Sequence, residues 1–281
     1  MAEPITSAGA SSFGRILIVG CGNMGGAMLQ GWLAGGIAPS SITVVDPGLA
    51  TPPPGVTAVA QVPTETFDIV LLGVKPQQLD LVAPQVAPAL ASETVLLSIL
   101  AGVELATLAA RFAHCGGLVR VMPNLAAAIG RSPLALVGSG VGLGPGEARY
   151  TQITRLLQLL GTPEWLADES LFDAVTALAG CGPAFVYRYI DALAAGAVAL
   201  GVAPDQAERL ALATVEGSAL LAAASPHPPG ELARRVASPG GSTQAGLDVL
   251  DKDGALTEVV AAAMRAAERR SAEMGREARQ G

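Results

Sequence analysis

The fold is decided by the stretch Arg15-Ile-Leu-Ile-Val19, which runs directly into Gly20-Cys-Gly-Asn-Met-Gly-Gly26. The run of aliphatic side chains predicts a short buried strand. The glycine-rich segment predicts a tight turn into a helix over residues 27–34, and a second strand is predicted at 42–45. A strand, a crossover helix and another strand form the unit from which parallel sheets are built. We therefore expect the N-terminal part of the chain to be α/β.

Gly20, Gly22 and Gly25 have the spacing of a dinucleotide-binding turn. The first permits the tight turn, the second lets the backbone approach a pyrophosphate, and the third lets helix and strand pack closely. Asn23 and Met24 lie at the start of the helix, where free N–H groups and the helix dipole favour negative charge. The alternative is a glycine-rich turn without a nucleotide. The position after a strand and before a helix favours a cofactor.

Asp46 ends the second predicted strand, 21 residues after Gly25. An acidic side chain at this place can accept hydrogen bonds from both ribose hydroxyls of NAD and repels the extra phosphate of NADP. No Arg or Lys occurs between Asp46 and Val74 to pair with that phosphate. The alternative, a turn aspartate before Pro47-Gly48, is nearly as well supported. The sequence predicts a weak preference for NADH.

The rest of the chain changes its hydrophobic periodicity and composition at Asp168. Before it, helical segments alternate with further predicted strands, as expected of a doubly wound sheet; these strands are at 69–74, 94–99, 118–121, 134–137 and 164–167. After it, Ala-rich helical periodicity runs almost to the end. We predict a flexible tail over 1–14, a dinucleotide-binding domain over 15–167 and a helical domain over 168–281. We interpret its charged end, 265–279, as a solvated helix face or fraying tail.

Composition narrows the function classes. The net charge of −7 argues against a nucleic-acid partner, since phosphate binding normally needs a basic face. The three cysteines are widely spaced and form no CxxC, which disfavours disulfides or a metal site and favours the cytoplasm. The N-terminus has no apolar segment typical of a signal peptide. Arg188 and Asp191 divide the longest apolar stretches, so no membrane span is expected.

A second motif, Ser238-Pro-Gly-Gly-Ser-Thr243, precedes a helical stretch that begins at Gln244. Glycines and hydroxyl residues ahead of a helix can form a nest in which several backbone N–H groups converge on one carboxylate. The alternative is an ordinary helix N-cap, but two consecutive glycines after a proline favour binding. The candidate substrate-binding residues are Ser238, Gly240, Gly241, Ser242 and Thr243, the last with its hydroxyl toward the ligand.

A third motif, Gly180-Cys-Gly-Pro-Ala-Phe185, interrupts what otherwise reads as one helix. It is either a structural kink or a place where the backbone comes close to cofactor or substrate.

Few side chains can act as general acids, which limits the possible chemistry. The only lysines and histidines are Lys75, Lys252, His114 and His227. A hydroxyacid dehydrogenase needs an acid/base for the alcohol proton. An imine carried as iminium is already electrophilic and needs mainly position and dry surroundings.

Several motifs follow one another in a specific order: the N-terminal glycine turn, Val74-Lys75-Pro76, Ser98 with Ala101-Gly102, Arg120-Val-Met-Pro-Asn124, Asp173-Ala-Val-Thr176, Gly180–Phe185 and Ser238–Thr243. From end to end this series resembles the pyrroline-5-carboxylate reductase family. The resemblance implies a Rossmann domain followed by an all-helical domain that interlocks in a homodimer, sometimes stacked into a larger ring. It also implies reduction of 1-pyrroline-5-carboxylate to proline with NADPH or NADH.

The resemblance implies roles for single residues. Ser238–Thr243 would hold the substrate carboxylate, with the Thr243 hydroxyl by the ring nitrogen as the catalytic group, and Gly20–Gly25 would hold the pyrophosphate. The remaining cofactor residues would border the nicotinamide and its ribose: Val74, Lys75, Pro76, Ser98, Ala101, Gly102, Asn124 and Thr176. The chain departs from the family in Cys181, where Ser is usual, in Leu125-Ala126, where Thr-Pro is usual, and in the segment 225–230, which lacks an acidic residue.

Two other hypotheses fit parts of the sequence. One is a related enzyme, either an imine reductase of different substrate range or a β-hydroxyacid dehydrogenase; the absence of a lysine suited to catalysis in the helical domain counts against the latter. The other is a nucleotide-binding redox sensor without turnover, with Cys181 as the sensing thiol. The motif Ser238–Thr243 would have no purpose in such a sensor.

Overall fold

The computed structural model describes residues 13–280, with side chains as far as Glu277. The described residues form two compact units, one made of residues 13–180 together with 267–280, the other made of Cys181–Ala266. In chain order the first unit contains β1 (Ile16–Val19), α1 (Asn23–Ala34), β2 (Ile42–Val45), β3 (Thr57–Val59), β4 (Ile69–Leu72), α2 (Leu79–Val86), β5 (Val95–Ser98), α3 (Leu105–Arg111), β6 (Gly117–Met122), β7 (Ser132–Gly140), α4 (Ala148–Gln158), β8 (Gly161–Trp165) and α5 (Phe172–Val175).

The strands form one sheet in the order β3-β2-β1-β4-β5-β6-β7-β8. β1 pairs in parallel with β2 on one side and with β4 on the other, so that Ile16 lies beside Ile42 and Ile69. The chain therefore changes direction across the sheet at β1. In open α/β sheets, ligands bind beyond the carboxyl ends of the strands at such a switch point. The predicted N-terminal Rossmann domain is confirmed.

The sheet is not parallel throughout, because β6 and β7 run antiparallel. Nine residues, 123–131, connect these two strands. A parallel return would need a crossover of a dozen residues or more, so the short connection forces the chain back alongside β6. β8 then pairs in parallel with β7.

Alternate residues of β1 pack on opposite faces of the sheet, as the twofold period of a strand requires. Ile16 and Ile18 belong to one hydrophobic cluster, whereas Leu17 and Val19 belong to the other. Both faces of the sheet are therefore buried at β1. A strand buried on both faces needs an apolar side chain at every position, which explains the uninterrupted aliphatic run in the sequence. Trp32 of α1 lies in the first cluster, and its indole Nε1 donates to the carbonyl O of Leu156 at 3.2 Å.

Differences from the predicted elements are local. β3 was not predicted because three residues with an exposed, edge-strand pattern carry little periodicity. α1 begins at Asn23 rather than at residue 27, so Gly25 and Gly26 lie inside the helix. β8 begins and ends a few residues earlier than the predicted strand at 164–167.

The second unit is entirely helical. It contains α6 (Gly182–Ala199), α7 (Pro204–Ala224), α8 (Pro229–Val236), α9 (Ser242–Asp251) and the first part of α10 (Ala255–Gln280). Its buried hydrophobic cluster consists of small side chains, Ala194, Ala207 and Ala211. Large apolar side chains are exposed instead, among them Leu200, Val249 and Val259. Such a surface is typical of a unit that buries its apolar area against another chain.

Two predictions concern the ends of the first domain, and the burial of Phe13 corrects the first of them. Phe13 was assigned to the tail over 1–14 but is 3% exposed and packs in the core; residues 1–12 lie outside the described residues. The domain boundary after residue 167 stays a prediction; the compact units of the structure divide after Gly180. The reason is that α5 contacts β7, and the π-helical segment Thr176–Gly180 contacts both β6 and β7.

Gly31 of α1 lies against the 3₁₀ segment Leu125–Ile129, where close packing leaves no space for a side chain. A Cβ at Gly31 would lie 2.1 Å from the carbonyl O of Ala127 and 2.7 Å from Cδ2 of Leu160. We expect Gly31→Ala to lower the free energy of unfolding by about 1–3 kcal/mol, because α1 and the segment would have to separate. Urea denaturation measures the change.

Gly26→Ala is the matched control in the same helix. Its Cβ would come no closer than 3.6 Å to the carbonyl O of Cys21, which is an ordinary contact. The helix preference for Ala over Gly is then expected to raise stability by up to about 1 kcal/mol. Equal stability of the two variants would contradict the described packing of α1.

Candidate functional site

Gly20 fits between the carboxyl ends of β2 and β4 with no room for a side chain. Its φ is +90°, and a Cβ there would lie 2.6 Å from the carbonyl C of Gly73 and 2.7 Å from the N of Val74. Its N–H donates to the carbonyl O of Val45 at 2.9 Å. A Cβ at Gly25 would lie 2.5 Å from the carbonyl O of Gly20. Both glycines are therefore required by the turn and by the close packing of α1 on it.

Gly22 is different, because a Cβ at this position would have no atom within 4 Å. Gly22 is the N-cap of α1, and no side chain caps this helix terminus or places a carboxylate in its first turn. The exposed Asn23 and half-buried Met24 begin the helix. Uncapped N–H groups next to open space form a cradle that suits a phosphate group. The residues present here fit the pyrophosphate of a dinucleotide.

Asp46 lies beside this turn, and both of its carboxylate oxygens accept backbone N–H groups. Oδ2 accepts from Cys21 at 2.5 Å and Oδ1 accepts from Gly48 at 2.7 Å. Asp46 therefore acts in part as a turn aspartate, which was the alternative interpretation. Each of its carboxylate oxygens also keeps a lone pair that can accept a further hydrogen bond. Burial raises the pKa of the neighbouring Cys21 thiol, and the Asp46 carboxylate adds to this effect. The thiolate at the turn is therefore disfavoured.

The structure brings the two other predicted cofactor loops to the same edge of the sheet. Gly73 donates to the carbonyl O of Val19 at 2.8 Å, and Ile99 donates to that of Leu72 at 3.1 Å. Val74, Lys75 and Pro76 follow β4; Lys75 is exposed, the other two are half-buried, and Pro76 begins a 3₁₀ turn.

In the loop after β5, Ser98 is buried and its Oγ accepts from the N of Leu100 at 3.4 Å. Ala101 and Gly102 are half-buried, and Gly102 has a φ of +73°. The residues from these two loops lie at the carboxyl ends of adjacent parallel strands, β4 and β5, next to the glycine turn after β1. This arrangement is where an extended dinucleotide binds in such sheets.

Asn124 lies after β6 and is buried. Its Oδ1 accepts from the N of Ala126 at 3.0 Å, and its Nδ2 donates to the carbonyl O of Ala179 at 2.9 Å. The side chain thus joins the end of β6 to the π-helical segment Thr176–Gly180. Thr176 opens that segment, and its hydroxyl donates to the carbonyl O of Phe172 at 2.8 Å. Both polar side chains are engaged within the protein.

The motif Gly180–Phe185 does not break the helix in the way that its glycines and proline suggested. α5 passes into the π-helical segment, Cys181 is the N-cap of α6, and Pro183 lies in the first turn of α6, where a missing N–H is harmless. The extra residue of the π turn accommodates the change in helix geometry. Such turns often occur at functional sites.

The motif Ser238–Thr243 forms a tight turn into α9. The N–H of Gly241 donates to the carbonyl O of Ser238 at 2.9 Å, and Gly240 has a φ of +73°. Pro239 and Gly240 are thus the central residues of a turn whose third position requires a positive φ, as in a type II turn. No side chain caps α9, and Thr243 is exposed in its first turn. The N–H groups of this terminus are available to an anion.

The segment 225–230, which lacks the expected acidic residue, is held by a nearby glutamate. Ser225 Oγ accepts from the N of His227 at 3.0 Å. His227 Nδ1 lies 3.2 Å from Oε1 of Glu231, which also accepts from Arg235 at 2.9 Å. Glu231 on α8 therefore supplies a carboxylate to this histidine.

The pair formed by Arg120 and Glu169 was not predicted from the sequence. The Arg120 side chain is 5% exposed, donates to Glu169 at 2.6 Å and packs with its guanidinium 3.9 Å from the centre of the Phe172 ring. The same Glu169 oxygen accepts from the N of Leu105 at 2.9 Å, at the start of α3. A charged residue inside the apolar strand Gly-Leu-Val-Arg-Val-Met was the available signal, since a buried charge needs a partner.

Comparison with known proteins places the chain in a family. It is 35% identical over 267 residues to pyrroline-5-carboxylate reductase of Pseudomonas aeruginosa, a match that covers 92% of this chain and 96% of the relative. The chain belongs to the pyrroline-5-carboxylate reductase family. The family protein of Pisum sativum is 36% identical over 263 residues, covering 89% of this chain and 94% of the relative.

Domain models and solved structures agree with membership of the reductase family. Residues 15–102 match the model "NADP oxidoreductase coenzyme F420-dependent", and residues 169–274 match "Pyrroline-5-carboxylate reductase dimerisation". The pyrroline-5-carboxylate reductase of Coxiella burnetii has a TM-score of 0.82 at 26% identity, covering 93% of this chain and 98% of that chain. The Plasmodium falciparum pyrroline carboxylate reductase with NADP bound has a TM-score of 0.77 at 26% identity, with the same coverage.

One helical run, Glu169–Ala199, is long and apolar enough to cross a membrane when judged by length and composition. No span was expected from the sequence, because Arg188 and Asp191 divide the apolar stretches; these two side chains form an ion pair at 2.9 Å. The run lies inside the region that matches the reductase dimerisation model.

Proposed function

We propose that the protein reduces 1-pyrroline-5-carboxylate to L-proline with NAD(P)H, the last step of proline biosynthesis, in the cytoplasm. The observation that carries the proposal is the similarity along more than nine-tenths of the chain to reductases named for this substrate. Each of the two units adds one required feature. The first has an open, uncapped turn at Gly22, and the second has the uncapped loop Ser238–Thr243.

The cofactor is proposed to lie along the carboxyl edge of the sheet. Gly20, Gly22 and Gly25, with Asn23 and Met24, hold the pyrophosphate against the N-terminus of α1. The loops Val74–Pro76 and Ser98–Gly102 border the nicotinamide ribose. Asn124 and Thr176 line the nicotinamide side through the backbone and apolar atoms that their internal hydrogen bonds hold in place. Bound NAD(P)H supplies the hydride.

The substrate carboxylate is proposed to bind the N–H groups of the Ser238–Thr243 loop, with Ser238, Gly240, Gly241 and Ser242 shaping the nest. Each charge-assisted bond of this kind contributes on the order of 1.5–3 kcal/mol. The Thr243 hydroxyl accepts the N–H of the iminium and so orients the ring. Reduction adds a hydride to the imine carbon while the nitrogen keeps its proton, so no strongly acidic side chain is required.

The apolar surface of the helical unit supports a homodimer. The buried cluster of this unit consists of alanines, whereas many of its large apolar side chains are exposed. We propose that a second copy of the chain covers them, that dimers can stack into a larger ring, and that neither a membrane nor nucleic acid is a partner. Light scattering of the purified protein measures the assembly.

Cofactor choice is tested at Asp46. We expect Asp46→Asn to increase the ratio of kcat/KM for NADPH to that for NADH by about fivefold, because the neutral amide no longer repels a 2′-phosphate. The change keeps an acceptor for the N–H of Cys21 or Gly48. Initial rates with both cofactors in parallel, for wild type and variant, give the ratio. An unchanged ratio would remove Asp46 from cofactor selection.

A substrate panel separates the proposal from its rivals. 1-Pyrroline-5-carboxylate, a six-membered cyclic imine and a β-hydroxyacid are compared with both cofactors. Preference for another imine would indicate an imine reductase, and turnover of the hydroxyacid would indicate a dehydrogenase. Cofactor binding without any turnover would favour a sensor.

A further inference from the structure

The C-terminal end of α10 packs directly on the loop that follows β5. A Cβ built on Gly102 would lie 2.6 Å from the Cα and 2.8 Å from the N of Gly275. Gly275 is buried. The segment 265–279 was expected to be a solvated face or fraying tail. Instead, backbone meets backbone at a contact that leaves no space for a side chain at Gly102.

A second contact fixes the same helix one turn earlier. Ser271 is 7% exposed, and its hydroxyl donates to Asp173 Oδ1 at 2.7 Å. Asp173 lies on α5, three residues before Thr176. Ser271 and Gly275 are four residues apart and so lie on one face of α10. This face contacts both the loop after β5 and the helix that leads to Thr176.

The far end of the loop is held separately. The N–H of Leu105 donates to Glu169, whose carboxylate pairs with the buried Arg120. The loop residues Ala101 and Gly102 lie between this anchor and the edge of β5. Gly102 also lines two pockets, of about 610 and 360 Å³, with residues of α10. Because these pockets leave space next to the loop, a small displacement of α10 would allow the loop to move.

We propose that Ser271 and Gly275 are positioning residues that fix Ala101 and Gly102 in the conformation that accepts NAD(P)H. The inference rests on the proposed function, which puts these loop residues beside the nicotinamide ribose. Ser271 and Gly275 act through the loop and through α5, and they touch neither substrate nor reacting atoms. Their loss would weaken cofactor binding more than it weakens folding.

The test compares Gly275→Leu with Gly275→Ala. Alanine and leucine have similar helix propensities. The Cβ of alanine would lie 3.5 Å from Gly102 Cα, an ordinary contact, whereas the larger leucine would push the loop away. We expect Gly275→Leu to raise the dissociation constants of NADH and NADPH at least fivefold in fluorescence titrations. Gly275→Ala should stay within twofold, and the KM for the imine should change less than twofold in both.

Ser271→Ala and Asp173→Asn provide the second measurement, which is also available if Gly275→Leu does not fold. Ser271→Ala removes the donor and is expected to raise the KM for the cofactor two- to fivefold with kcat nearly unchanged. Asp173→Asn keeps an oxygen that can accept from Ser271, so its KM should stay within twofold of wild type. A purely structural role would instead lower the melting temperature and leave the cofactor KM unaltered.

Wild-type binding of cofactor by Gly275→Leu and by Ser271→Ala would overturn the inference. Loss of binding in Gly22→Val in the same experiment would show that the cofactor site itself stands. Wild-type protein that binds neither NADH nor NADPH would overturn the proposed function and this inference with it.

Discussion

Gly22→Val is expected to weaken binding of NADH and NADPH at least 100-fold while leaving the fold almost as stable as in the wild type. A Cβ at this position would meet no atom within 4 Å beyond its chain neighbours, so we expect the folded protein to tolerate a small side chain there. The proposed function puts the pyrophosphate in the same space, and a branched side chain there would keep the phosphates from the N–H groups of α1. A 100-fold loss corresponds to about 2.7 kcal/mol.

Fluorescence titration of the nicotinamide gives the affinity, and thermal denaturation gives the stability. Gly22→Ala should fall between wild type and Gly22→Val in affinity. Gly20→Ala is the contrasting variant, because its Cβ would clash with backbone at 2.6 Å and should lower stability as well as binding. If Gly22→Val bound cofactor with wild-type affinity, the pyrophosphate would not lie at this turn.

Thr243→Ala is expected to lower kcat with 1-pyrroline-5-carboxylate at least tenfold, which is about 1.4 kcal/mol of activation free energy. The hydroxyl is exposed in the first turn of α9 and makes no hydrogen bond within the described part of the chain. Its removal therefore costs little folding stability. What is lost is the alignment of the iminium nitrogen, and misalignment lowers the rate of hydride transfer.

Thr243→Ser is the matched variant, since it keeps the hydroxyl and removes a methyl group. We expect it to retain at least a third of the wild-type kcat. Steady-state kinetics at saturating cofactor, with circular dichroism as a check on folding, separates the two variants. Equal rates for Thr243→Ala and wild type would exclude the hydroxyl from catalysis.

The sequence was a sufficient guide to the fold wherever the pattern was long and local. The aliphatic run of β1, the glycine turn and Asp46 specified the first β-α-β unit, and the structure has it at those residues. β3 and the antiparallel return of β7 depend on pairing across the sheet and on connection length, which periodicity does not report. The division after Gly180 likewise depends on contacts of the segment 172–180 with β6 and β7.

The candidate site likewise has a part that the sequence predicted and a part that only the folded chain shows. The glycine turn and the loops after β4 and β5 were identified from motifs, and the sheet brings them to one edge. Two other contacts are long-range. Arg120 pairs with Glu169, 49 residues away, and Ser271 pairs with Asp173, 98 residues away. No local pattern around Ser271 or Gly275 distinguishes them from a solvated helix. Their burial is a property of the folded chain alone.

The central claim is tested most directly by supplying the purified protein with 1-pyrroline-5-carboxylate and NADH or NADPH, and following cofactor absorbance together with proline formation. Reduction of the cyclic imine is predicted to consume one cofactor for each L-proline formed. Absence of turnover with both cofactors, in protein shown to be folded, would contradict the assignment.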